Sequence, residues 1–207
     1  MLFDFKRWVL LTSIAVACSG YNGADKEHAA FRPLPANEYP NHQTENGVTV
    51  AAIPFETKEQ AEPAFGKVNP YEYGVLPILV VIHNESKTAI RADKIRTEYM
   101  WPDRTKIEAT PARDIKYIGA KSPSGRIPTP LPMGIPHSKK PKQPLGEWEI
   151  EGRAFAAEMI PPGESASGFF YFQTGHRTGS TLFVNGLKDA ASNQELIYFE
   201  LPLAAVK

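Results

Sequence analysis

One cysteine, Cys18, stands in 207 residues, so no internal disulfide can brace the fold. Excess charge of either sign is also missing. With 23 Lys and Arg against 23 Asp and Glu, the chain has no overall field to gather a polyanion, which makes nucleic acid a poor expectation beyond a local patch. No apolar run approaches the ~20 residues of a membrane-spanning helix; the uncharged stretch at residues 8–17 has ten. Common catalytic signatures are lacking too: there is no S-x-x-K, no H-E-x-x-H, no phosphate-cradling glycine loop and no dinucleotide fingerprint. What is abundant is proline, 19 residues, and each ring removes an amide donor and fixes a dihedral. That argues for strands and loops rather than a helical bundle.

The N-terminus reads as an address. Lys6 and Arg7 precede the uncharged run, and the small residues Ala15 and Ala17 stand just before Cys18, the pattern of a cleavable export signal. These residues resemble the signal of a bacterial lipoprotein, although Ala15 stands where that family usually has Leu, Val or Ile. The resemblance implies diacylglycerol on the Cys18 thiol, cleavage after Ala17 and acylation of the freed amine. It also implies that Ser19, rather than Asp, favours outer-membrane delivery in a Gram-negative host. Ordinary secretory cleavage of the same bond, leaving a free N-terminal cysteine, is the alternative. At about 0.8 kcal/mol per buried methylene, two or three acyl chains hold a protein on its membrane where one does not.

Three segments follow from this reading: a signal peptide at 1–17, a lipid-anchored disordered tether at 18–46, and a β domain at 47–207 with a helical and Pro-rich insert at about 110–160. The tether is polar, broken by Pro33, Pro35 and Pro40, and without periodicity. His28 and His42 fall in it as solvated side chains. From Gly47, Val48, Val50 and Ile53 mark a first strand, and Thr57 with Gln60 forms a capping box for a short helix limited by Pro63. Residues 75–83 (VLPILVVIH) form the strongest strand signal, an aliphatic run that predicts a central strand buried on both faces. Asn84, Glu85 and Ser86 read as a turn, and their match to a glycosylation sequon carries little weight beside a bacterial signal. Alternating Ile95, Thr97, Tyr99 and Trp101 predict a strand that pairs with 105–109 across the Pro102 turn. Thr110 and Pro111 open a short helix over 111–118. Further strands are expected at 165–173, 180–184 and 195–203, with Asn185 and Gly186 making a tight turn.

About seven strands suit an immunoglobulin-like antiparallel β-sandwich with short helices. Residues 160–164 (IPPGE), leading through Gly168 to the aromatic run 169–172, resemble the Pro-Gly turn and aromatic strand of immunoglobulin-like modules in bacterial lipoproteins. Between the two halves, residues 121–144 hold seven prolines and read as an exposed strap. Its neighbourhood is basic, with Arg113, Lys116, Lys121, Arg126, Lys139, Lys140 and Lys142 against Asp114, which suits either an anionic surface or simple solubility. Residues 145–159 place Leu145, Trp148, Phe155 and Met159 on one helical face.

Chemistry is harder to find. Residues 163–168 (GESASG) fail the nucleophile-elbow pattern, because Ser167 stands where Gly is needed. Glu147, Glu149 and Glu151 read as a solvated acidic surface, and His83 and His176 have no ligand set at metal-binding spacing. Trp101, Trp148 and the 169–172 cluster would stack on sugar rings if exposed, but alternation assigns them to a core. The sequence therefore leads to a lipid-anchored, non-catalytic envelope protein, a binding or structural module for a protein, lipid or cell-wall partner. No metal, cofactor or catalytic residue is expected. The alternative from another class is a secreted hydrolase with an unfamiliar site, which a cleft of convergent His and carboxylate side chains would favour.

Overall fold

The computed structural model describes residues 31–115, 147–196 and 198–203. The export signal, Cys18, His28 and the strap at 121–144 lie outside the described residues. The protein is mainly β, with antiparallel sheets and few helices. Eleven strands form three sheets among the described residues, more than the seven expected, because several have only two or three residues.

One sheet runs in the order β1 (His42–Glu45), β2 (Val48–Pro54), β3 (Leu76–Asn84) and β8 (Ser165–Phe172). A second, four-stranded sheet has the order β11 (Phe199–Pro202), β9 (Thr181–Asn185), β5 (Arg96–Met100) and β6 (Lys106–Glu108). Between them, β10 (Lys188–Asp189), β4 (Ile90–Arg91) and β7 (Met159–Ile160) form a small third sheet. The run at 75–83 does become the central strand: β3 pairs with β2 on one side and β8 on the other. Its side chains alternate between two cores. Leu76, Ile78, Val80 and Ile82 meet Tyr99, Leu182, Val184, Phe199 and Leu201 of the opposing sheet. Leu79 and Val81 point the other way, toward Phe55, Phe65, Ile115, Ile150 and Phe169.

That second core requires a third layer. It is supplied by α1 (Lys58–Phe65), α2 (Ala112–Ile115), α3 (Glu147–Glu151) and the segment around Ala36. In α1 the expected capping box is present: Thr57 Oγ1 accepts from the Gln60 amide at 3.3 Å, and Gln60 Oε1 accepts from the Thr57 amide at 3.1 Å. Pro63 lies inside this helix and does not end it; Gly66 does, where the chain takes a positive φ.

Three expectations need correction. The tether does not extend to residue 46, since Ala36 is buried and His42–Glu45 pairs with β2. Asn46 and Gly47 both take positive φ in a two-residue loop, the conformation that matches hairpin twist. Residues 145–159 are not one helix. Among the described residues of that span only Glu147–Glu151 is helical, and Phe155 is instead drawn against β8, its amide bonding the Phe169 carbonyl at 3.2 Å. Met159 ends up exposed in β7, while Leu145 and the Trp148 side chain lie outside the described residues. Finally, Asn185 and Gly186 do not close a hairpin. Gly186 lets the chain leave β9 for β10 in another sheet, and an added Cβ there would sit 2.1 Å from the Lys94 carbonyl oxygen.

Asn84 joins the layers. Fully buried, it donates from Nδ2 to the carbonyls of Thr88 at 2.8 Å and Ile160 at 2.9 Å, and Oδ1 accepts from the Ser86 amide at 3.0 Å and its hydroxyl at 2.6 Å. With both amide hydrogens engaged inside the fold, the side chain is no glycan acceptor. Asn84→Ala removes both donors and is expected to lower stability by about 1–3 kcal/mol in urea unfolding, because the buried Ile160 carbonyl loses this donor while the Thr88 carbonyl keeps the Ser86 hydroxyl at 2.9 Å. A loss within measurement error would show the layers held elsewhere.

Asp189 at the end of β10 accepts from the Thr88 hydroxyl and from the amide and hydroxyl of Ser192, which lowers its carboxyl from the ordinary 3.8 to about 2. The folded state thus holds that proton less readily than the unfolded chain. Its contribution is complete above the unfolded value and disappears as pH falls through the folded one. Stability measured by thermal melting is expected to fall between about pH 4 and pH 2, and Asp189→Asn should flatten that slope.

Candidate functional site

In the sheet β11-β9-β5-β6, alternation sends Thr97, Tyr99, Leu182, Val184, Phe199 and Leu201 inward. The intervening residues must then face away from the core. Arg96, Glu98, Lys106 and Phe183 take these outward positions, and Tyr198, just before β11, shares their side at 54% exposure. They line a concavity of about 860 Å³, rimmed by Lys94, Lys188 and Glu195.

The floor is aromatic. Phe183 and Tyr198 lie 6.0 Å apart with planes tilted by 38°. Register places Glu98 opposite Phe183, and Lys106 Nζ reaches both, 3.0 Å from Glu98 Oε2 and 4.3 Å from the Phe183 ring centre. Across the hollow, Lys188 Nζ stands 3.8 Å from Glu195. Lys94 and Arg96 make no ion pair among the described residues. Four cations and two carboxylates therefore surround two rings, a combination suited to binding rather than bond-breaking.

The residues singled out from sequence are distributed differently. Phe169, Tyr171 and Phe172 are buried as expected, and Trp101 packs edge-on against Tyr99 at 5.4 Å. Burial raises the Tyr171 phenol far above its usual pKa, and its hydroxyl donates to the Ile150 carbonyl at 2.7 Å. Glu149 and Glu151 sit on α3, and the Glu147 side chain lies outside the described residues. His42 Nδ1 is 2.6 Å from the Tyr39 carbonyl oxygen. His176 is nearly buried, with Nδ1 3.2 Å from the Tyr99 hydroxyl and Nε2 3.7 Å from Glu56.

One grouping was not foreseen. Residues 163–168 form no elbow, but strand pairing sets Ser165 beside His83, with Oγ 2.9 Å from Nδ1, and His83 Nε2 lies 3.6 Å from Glu85 Oε1. Serine, imidazole and carboxylate thus line a cleft of about 480 Å³ next to Leu34. The geometry is poor for acyl transfer. At 3.6 Å the carboxylate does not hydrogen-bond the ring, and Glu85 is 61% exposed. Ser165 also begins an extended strand, where successive amides point to opposite edges and cannot converge on one oxyanion.

Neither a family model nor a curated protein matches the chain. Among solved structures, the X-ray structure of a Northeast Structural Genomics Consortium target is similar at TM-score 0.34 and 9% identity, over 78% of this chain and 91% of that one. A putative ApaA protein from Bordetella pertussis is similar at TM-score 0.32 and 12% identity, over 84% of this chain and 100% of that one. At these scores the likeness carries no argument about fold or function.

A fluorophosphonate probe tests the serine directly. Intact-mass analysis is expected to show no adduct on the full-length protein, whereas stoichiometric labelling that vanishes in Ser165→Ala would reveal an activated nucleophile.

Proposed function

We propose that this chain is a lipid-anchored, non-catalytic binding module of the bacterial envelope, an immunoglobulin-like β-sandwich that presents the outer face of β11-β9-β5-β6 to an envelope partner. The observation that carries this reading is the concavity over Phe183 and Tyr198, where aromatic surface and cations share one open sheet face. An exposed aromatic such as Tyr198 beside unpaired cations is what a recognition surface needs, while a core needs neither.

The position of the N-terminal segment agrees with a tether. Phe31 and Ala36 pack into the core on the side of β2 and β3 away from the sheet β11-β9-β5-β6, so a tether leading from Phe31 to acyl chains on Cys18 would leave the outer face of that sheet uncovered. A hydrolase, the other class considered, would have to act through Ser165, His83 and Glu85, and the fluorophosphonate outcome separates the two.

Two measurements test the proposal. Cys18→Ala is expected to move the protein from the membrane fraction to the soluble fraction, and retention would remove the anchor from the account. A photocrosslinking residue at Tyr198 should capture one reproducible envelope component in intact cells, and one at exposed Glu62 on α1 should not. The opposite pattern would place recognition on the helical layer.

A further inference from the structure

Resting on the reading of this face as a binding surface, we propose that its ligand is an acidic polysaccharide, a chain of pyranose rings bearing widely spaced carboxylates. Each part of the concavity selects for one feature of such a chain. Exposed Tyr198 offers flat apolar surface to the C–H face of a sugar ring, and half-buried Phe183, 6.0 Å away beneath the Lys106 ammonium, extends that floor. Arg96 lies opposite Asn185 in the strand register and its side chain makes no hydrogen bond or ion pair among the described residues, so its planar fork is open to a carboxylate. Lys94 adds a second unpaired cation at the rim.

The two carboxylates in the lining decide against a denser polyanion. Glu98 and Glu195 would repel a phosphate backbone, whose charges recur at every nucleotide and demand a continuous basic track. Toward a glycan the same groups are useful, because ionised carboxylates accept hydrogen bonds from sugar hydroxyls. Sparse anions, many hydroxyl donors and apolar ring faces together match a heteroglycan in which uronate rings are separated by neutral sugars.

The test uses the full-length lipidated protein in nanodiscs of neutral lipid, titrated calorimetrically with hyaluronan oligosaccharides, which carry one carboxylate on every second ring, their methyl esters, oligogalacturonate and oligothymidylate. The hyaluronan acid should bind about tenfold or more tightly than its ester, a factor of the size expected from one charge-assisted bidentate contact, and more tightly than fully charged oligogalacturonate. Arg96→Gln should lose most of the preference for acid over ester, and Tyr198→Ala should weaken acid and ester alike. Both variants change exposed side chains, and circular dichroism verifies their fold. Equal binding of acid and ester, or an unaltered Arg96→Gln, overturns the proposal. Binding of oligothymidylate alone, lost in Tyr198→Ala, would leave a binding face with the wrong ligand class assigned. If no probe binds, the glycan assignment fails; if the Tyr198 crosslinker also captures nothing, the binding-module reading fails with it.

Discussion

A strand that is apolar on both sides cannot rest in a two-layer body with one face wet, and β3 is such a strand. From Leu76 to Ile82 its side chains are buried alternately in two separate cores. Each fully buried aliphatic side chain contributes roughly 1.5–3 kcal/mol, so exposing either face would forfeit several such contributions. Covering one face draws in the sheet of β5 and β9. Covering the other recruits the three helices and the segment from Phe31. The chain thereby has a middle, two flanks and one sheet face left over.

That remaining face is where ligand chemistry becomes affordable. The helical flank already buries Phe55, Phe65 and Phe169 in a ring cluster, with centroid distances of 4.9 and 4.7 Å to Phe169. On the opposite flank the sheet β11-β9-β5-β6 has its apolar positions turned inward, and its outward positions are free to be chosen for recognition. Asn84 and the small sheet β10-β4-β7 keep this outer sheet in place relative to β3. The clamp from Asn84 to Ile160 acts with two further polar links between the layers, Gln43 Oε1 accepting from the Glu200 amide at 2.8 Å and the Tyr171 carbonyl accepting from the Thr110 amide at 2.7 Å.

Much of this frame could be read from sequence, and the failures have physical causes. The two-sided burial of β3 was legible because an unbroken aliphatic run has few other uses. The hairpin of β5 and β6 followed from alternation around Pro102. β1 was missed because His42, Gln43, Thr44 and Glu45 are all polar, as an edge strand permits, although Asn46 and Gly47 carried a hairpin signal as strong as that at Asn185. The latter pair misled because Gly186 serves a close approach to Lys94 rather than a turn between paired strands. Strands of two residues, such as Ile90–Arg91, have no period to detect. The candidate site was hidden for a related reason. Its residues are scattered from Lys94 to Tyr198 and converge only through strand register, yet inward Leu182 and Val184 already implied that Phe183 faces out.

The interactions that hold the empty face together are weak in a useful way. Lys106 covers the Phe183 ring and touches Glu98, but the lysine and glutamate side chains are 44% and 30% exposed, so the pair contributes no more than about 1 kcal/mol. Such a contact orders Lys106 above the aromatic floor without locking it there. The Lys106 ammonium and its Glu98 partner thus shield part of the half-buried Phe183 ring from water while contributing little to stability. Stability comes from the two cores around β3, which leaves the outer face free to exchange partners without loosening the fold.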